Sequence, residues 1–120
     1  MIRSYRDLEV YKRSYRLSLE IHRITLTLPS FERYELASQI RRAAVSIPLN
    51  IAEGYGRKNS EAEFKHFLRN SLGSCNELHV LIDMFRDLGY VAEDVYEKLN
   101  KECDVLGRQL NKLLRTWQTF

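Results

Sequence analysis

Residues 39–57 read QIRRAAVSIPLNIAEGYGR, and this stretch decides the fold. Ala43, Ala44, Ser46 and Ala52 are small enough to let a neighbouring helix come close. Ile40, Ala43 or Ala44, Ile47 and Ile51 recur at helical spacing, so the segment has one apolar face. Pro48 stands inside that pattern. It removes a backbone donor and crowds the carbonyl four residues earlier, which predicts a kink near Ala44 or Val45. Gly54 and Gly56 mark the exit from the helix. Arg41 and Arg42 leave the apolar stripe and need solvent or a partner.

Working outward, three more helical patterns flank this one. Val10, Leu17, Ile21, Ile24 and Leu28 form a stripe from about Asp7 to Leu28, with Ser14 filling its gap. Asp7 and Glu9 suit the positive end of that helix. Pro29 and Ser30 interrupt the pattern, and Ser30 is placed to cap a second helix running from near Phe31 to about Tyr55. Ser60 and Glu63 have capping-box spacing and open a third helix. Its stripe is a near-strict heptad of Phe64, Leu68, Ser71, Cys75, Leu78, Ile82 and Phe85. Gly73 and Ser74 weaken helix propensity there, which makes sense if the small-residue segment of the second helix packs against them. Gly89 reads as a helix stop. The fourth helix runs from about Glu93 to Trp117, on Leu99, Cys103, Leu106, Leu110, Leu113 and Trp117.

A chain of 120 residues with 44% apolar and 29% charged side chains suits one domain with one core. Four amphipathic helices with short connectors predict an all-α fold: an antiparallel up-down-up-down four-helix bundle, its second helix kinked at Pro48. No apolar run is long enough to span a bilayer, and the first residues lack the apolar core of a secretory signal. Cys75 and Cys103 fall on apolar stripes and read as a reduced buried pair in preference to a disulfide. That fits a cytoplasmic location. The net charge is +3. Its distribution is uneven: eleven Lys and Arg against six Asp and Glu through residue 58, then eight against ten. A basic face in the first half is therefore expected.

The residues assemble no convincing catalytic set. A di-iron bundle needs two Glu-x-x-His motifs, and only Glu63-x-x-His66 occurs. His22 and His66 read as exposed and His79 as a helix-interface residue. None has metal-ligand spacing, so neither a metal site nor a cofactor is expected. Gly54-Tyr55-Gly56-Arg57 follows a helix, not a strand, and is no phosphate loop. Cys75 and His79 lie one turn apart on a core stripe, where packing explains them better than nucleophilic catalysis. Asn50 and Glu53 have two open readings. They brace the kink and helix end, with Glu53 paired to Arg42, Arg57 or another subunit, or they belong to a partner site.

Residues 39–57 resemble the signature of the four helix bundle protein family, also called the 23S rRNA-intervening-sequence protein family. Further matches keep the family order: Asp7-Leu8-Glu9-Val10, Leu28-Pro29 before Glu32 and Glu35-Leu36, Glu63-Phe64 with Phe67-Leu68, Gly73-Ser74 with Glu77, and Leu88-Gly89-Tyr90. The resemblance implies the same bundle and assembly into rings, typically homopentamers. It also implies a link to nucleic acid, since family genes lie within intervening sequences of ribosomal RNA genes. A related branch, the accessory variability protein of diversity-generating retroelements, works with a reverse transcriptase.

Two functional readings follow. In the first, a homo-oligomer binds RNA or DNA backbone through a basic face of the first two helices. Its candidate contacts are Arg13, Arg16, Arg23, Arg41, Arg42, Arg57 and Lys58. In the second, the oligomer is a scaffold for a protein partner such as a reverse transcriptase. In either reading Pro48, Asn50, Glu53, Gly54, Gly73 and Ser74 are the structural-motif or interface residues. Neither reading involves an enzyme, a cofactor or a membrane.

Overall fold

The structure, a computed structural model, describes residues 1–118. It has four helices: α1 (Glu9–Thr25), α2 (Leu36–Gly56), α3 (Glu61–Asp87) and α4 (Glu93–Thr116). They alternate in direction as an antiparallel up-down-up-down bundle measuring 49 × 25 × 21 Å. Each helix packs on its neighbours in the chain, and α1 closes the ring against α4 through the sparsest seam. Among the described residues, no helix is long and apolar enough to cross a membrane.

The expected stripes form the core. All seven heptad positions of α3, from Phe64 to Phe85, are buried, and so are Leu99, Cys103, Leu106 and Leu110 of α4. Ser14 fills the gap in the α1 stripe, its hydroxyl donating to the Tyr11 carbonyl at 3.1 Å. Phe64 lies where three aromatic rings meet, edge-on to Trp117 and Tyr55. Gly89 has φ +77°, and Tyr90 N–H reaches the Phe85 carbonyl at 2.8 Å. This left-handed stop ends α3 as expected.

The starts of α1 and α2 depart from the sequence reading, whereas α3 and α4 begin where expected. α1 begins at Glu9, after a short 3₁₀ turn at Tyr5–Asp7. There Asp7 Oδ2 accepts from the N–H groups of Arg3 and Ser4 at 2.8 and 3.1 Å, which holds its carboxyl below the ordinary value. α2 begins at Leu36, not Phe31, and Ser30 does not cap it. Ser30 opens a 3₁₀ turn, and the buried Glu32 carboxylate that closes this turn faces the Leu36 N–H at 3.5 Å. Glu32 also accepts from the Tyr90 hydroxyl at 2.6 Å, which ties the start of α2 to the α3–α4 connector. That hydrogen bond to a carboxylate raises the Tyr90 pKa. The capping box at Ser60 is half formed. The Ser60 hydroxyl accepts the Glu63 N–H, but the Glu63 carboxylate turns to Arg57 and the Ser60 N–H is taken by the Arg57 carbonyl.

α2 remains helical through the buried Pro48, and no break marks the expected kink. It packs tightly on α3. The Ser71 hydroxyl donates to the Ile47 carbonyl at 2.9 Å, and the Ser46 and Ser74 hydroxyls meet at 2.9 Å. A Cβ on Gly54 would stand 2.7 Å from Phe67 Cβ and 3.0 Å from Phe64 Cδ1. Gly54 therefore sits inside α2 because α3 leaves no room for a methyl group; it does not mark the helix exit. Gly73 is exposed, and a Cβ there would touch nothing within 4 Å. Close packing therefore explains Ser74 but not Gly73.

Candidate nucleic-acid interface

The seven cations singled out in the sequence occupy several different environments. Arg13 lies on the α4 side of α1, its guanidinium 2.8 Å from Glu102 and 3.2 Å from Gln109. Arg16 and Arg23, seven residues apart, share one outward face of α1. Among the described residues, neither forms an ion pair. Arg57 bonds Glu53 at 2.9 Å and approaches Glu63 at 3.5 Å. The hydrogen bond to Glu53 is the main reason its pKa is raised. Lys58 stands 4.0 Å above the Tyr55 ring. Arg57 and Lys58 lie about 22 Å along α2 from Arg42 at 1.5 Å per residue.

Arg41 and Arg42 come together between α1 and α2. Two adjoining clefts run along this seam, about 460 and 440 Å³ in volume. Arg41 and His22 line both. Arg33 lines the first, where the α1–α2 connector turns, and Arg42 lines the second. Arg41 is held in place: it donates to Thr25 Oγ1 at 3.1 Å and approaches the Arg33 carbonyl at 3.5 Å. Thr25 in turn donates to the His22 carbonyl at 2.6 Å. Among the described residues, no carboxylate lines either cleft. Arg33 and His22 were not among the sequence candidates. Arg33 lies in a turn, where helical spacing has no meaning, and His22 carries no pattern of its own.

The residues expected to brace α2 are also placed. Asn50 Nδ2 donates to the Ser46 carbonyl at 2.8 Å and lies 3.0 Å from the Ser46 hydroxyl. Asn50 thus joins the serine contact with α3. Glu53 pairs with Arg57, one of the three partners the sequence left open.

A separate cluster lies between α3 and α4. Cys75 and Cys103 are free and buried, and the Cys75 thiol points to the Cys103 carbonyl at 3.5 Å. The half-buried His79 joins them, its Nε2 3.4 Å from Asp104 Oδ1. The hydrogen bond with Cys75, together with burial, pushes the Cys103 pKa well above the ordinary thiol value.

Bundle and seam define a class: an all-α four-helix protein with an open cationic groove between its first two helices. Within that class the chain belongs to the 23S rRNA-intervening sequence protein family, whose profile matches residues 6–112. A crystal structure of a protein of unknown function from the S23 ribosomal protein family of Bacteroides thetaiotaomicron VPI-5482 is similar in shape. Its TM-score is 0.81 at 23% identity, over 89% of this chain and 96% of that one. At this identity the likeness establishes the fold alone. No curated protein matches the chain.

Proposed function

We propose that this chain is a non-enzymatic, cytoplasmic nucleic-acid-binding protein that works as a homo-oligomer and holds backbone phosphates in the α1/α2 seam. The observation that carries this reading is the pair of clefts lined by Arg33, Arg41, Arg42 and His22 with no carboxylate among the described lining residues. A guanidinium fork matches two phosphate oxygens, and an acid-free surround leaves its charge unspent. Arg16 and Arg23 extend the cationic surface along α1. Arg13 and Arg57 share their charge with carboxylates and contribute less. Repetition around a ring multiplies the phosphates engaged, each of which releases counterions. The family's name refers to 23S rRNA and the similar structure's family to the ribosome, which favours structured RNA.

The test is fluorescence anisotropy with labelled structured RNA, single strands and duplex DNA over a range of salt. Affinity is expected to fall steeply with salt. Arg33→Glu with Arg42→Glu, both exposed, should lower the salt slope by about 2 while leaving the fold intact. Unchanged affinity in that variant would remove the seam from consideration.

A protein-scaffold role is the second reading, favoured by exposed apolar residues on α2 and α3. Val80 and Met84 of α3 and Leu88 just beyond its end are exposed at four-residue spacing, and Val45 and Leu49 are exposed on α2. Such apolar surface suits contacts between copies, in the ring of five that the family resemblance implies, or with a protein such as a reverse transcriptase. Binding that is indifferent to salt would favour this reading over the first.

A further inference from the structure

Cys75, His79 and Cys103 offer two sulfurs and an imidazole nitrogen that all lie within 4.8 Å of one another. Two helices supply them: Cys75 and His79 are one turn apart on α3, and Cys103 comes across from α4. The set is outside the α1/α2 seam and no part of the nucleic-acid reading uses it. Two thiolates and one neutral imidazole are soft-to-borderline donors, the combination that suits Zn²⁺. Zn–S bonds of about 2.3 Å and Zn–N bonds of about 2.0 Å place tetrahedral ligands just under about 4 Å apart. The donors therefore have at most about 1.3 Å to close.

We propose that Cys75, His79 and Cys103 bind one Zn²⁺ ion and so join α3 to α4. Each thiol gives its proton to solvent and its sulfur forms one bond to the metal. The imidazole lone pair forms a third, a water entering beside His79 fills the fourth tetrahedral position, and no electron is transferred. Two thiolates balance the doubly charged cation, so the filled site is neutral. That matters because Cys75 and Cys103 are 1% and 0% exposed, and a net charge there would be costly. The half-exposed His79 side provides the way in. Asp104, beside the His79 ring, is a positioning residue of the kind that fixes a ligating imidazole. The charged groups that bear on the thiols are Asp104 and Glu102, the latter tied to Arg13 of α1.

The experiment is a titration of the reduced full-length chain with Co²⁺ as a spectroscopic stand-in, followed by displacement with Zn²⁺. One equivalent of Co²⁺ should give a near-ultraviolet thiolate-to-metal band with tetrahedral visible bands and release two protons from the thiols, and Zn²⁺ should then abolish both bands with no further proton release. His79→Ala, at a partly exposed position, should keep the helical circular dichroism and weaken Zn²⁺ at least about 100-fold. Asp104→Asn should weaken it about 10-fold. A wild-type Co²⁺ complex without the thiolate band overturns the proposal. So does an unchanged spectrum in Cys75→Ala with Cys103→Ala. The wild-type spectrum and proton count decide the matter even if the cysteine variants fail to fold. Neither outcome bears on the α1/α2 seam.

Discussion

α2 has two neighbours and treats them differently. Against α3 it presents Ser46, Ile47 and Gly54 and packs so closely that a methyl group on Gly54 would collide with Phe67. Against α1 it presents Arg41 and Arg42 and leaves clefts of about 460 and 440 Å³. The small residues of one stretch build a closed seam, and the large cations one turn earlier hold another open. The same helix therefore supplies stability on one side and an accessible charged surface on the other.

The closed seam is tested most severely by Gly54→Ala. Alanine favours a helix by about 1 kcal/mol over glycine. Here the added Cβ meets atoms at 2.7 and 3.0 Å, one of them the rigid Cβ of Phe67. Overpacking of this kind costs about 1–3 kcal/mol and outweighs the propensity gain. A net loss of about 1 kcal/mol, and at most about 2, is expected in urea unfolding. A gain in stability would show that α3 can yield, and that the seam is not closed.

Gly73→Ala is the matched opposite. Its Cβ would meet open space in the middle of α3, so only the propensity gain remains. Stability should rise by about 0.5–1 kcal/mol in the same assay. A loss would mean that Gly73 is covered, as it would be by another copy of the chain. Measuring the variant at several protein concentrations separates a monomer effect from an assembly effect.

These two glycines also show where the sequence stops being informative. Spacing alone reveals the stripes, because a buried face must repeat every three or four residues. The α3 heptad accordingly lies buried from Phe64 to Phe85. Spacing cannot reveal what stands opposite a glycine, so Gly54 reads as a helix exit and Gly73 as a close contact, when Gly54 is the close contact and Gly73 faces open space in mid-helix. The cap at Ser60 has the same lesson: Arg57, in the connector before it, competes for the Glu63 carboxylate. The site was legible in part. Arg41 and Arg42 stand out because they interrupt an apolar stripe. Arg33 enters the seam only through the path of a turn, and Cys103 reaches Cys75 and His79 only through the packing of α4 on α3.

The open seam is tested by Arg41→Met, which keeps the apolar stem and removes the charge. The bonds lost are those to Thr25 Oγ1 and the Arg33 carbonyl. Thr25 keeps its bond to the His22 carbonyl, and the cleft is open to water, so neither group is stranded in a dry interior. A stability change of only about 0.5 kcal/mol is therefore expected, the smallest of the three. RNA affinity should nevertheless fall, because Arg41 lines both clefts and is the cation the fold itself fixes in position. A large stability loss would make Arg41 a structural bolt between α1 and α2. A small loss with weakened, less salt-sensitive binding would separate the two seams of α2 by role, one holding the bundle together and the other facing a polyanion.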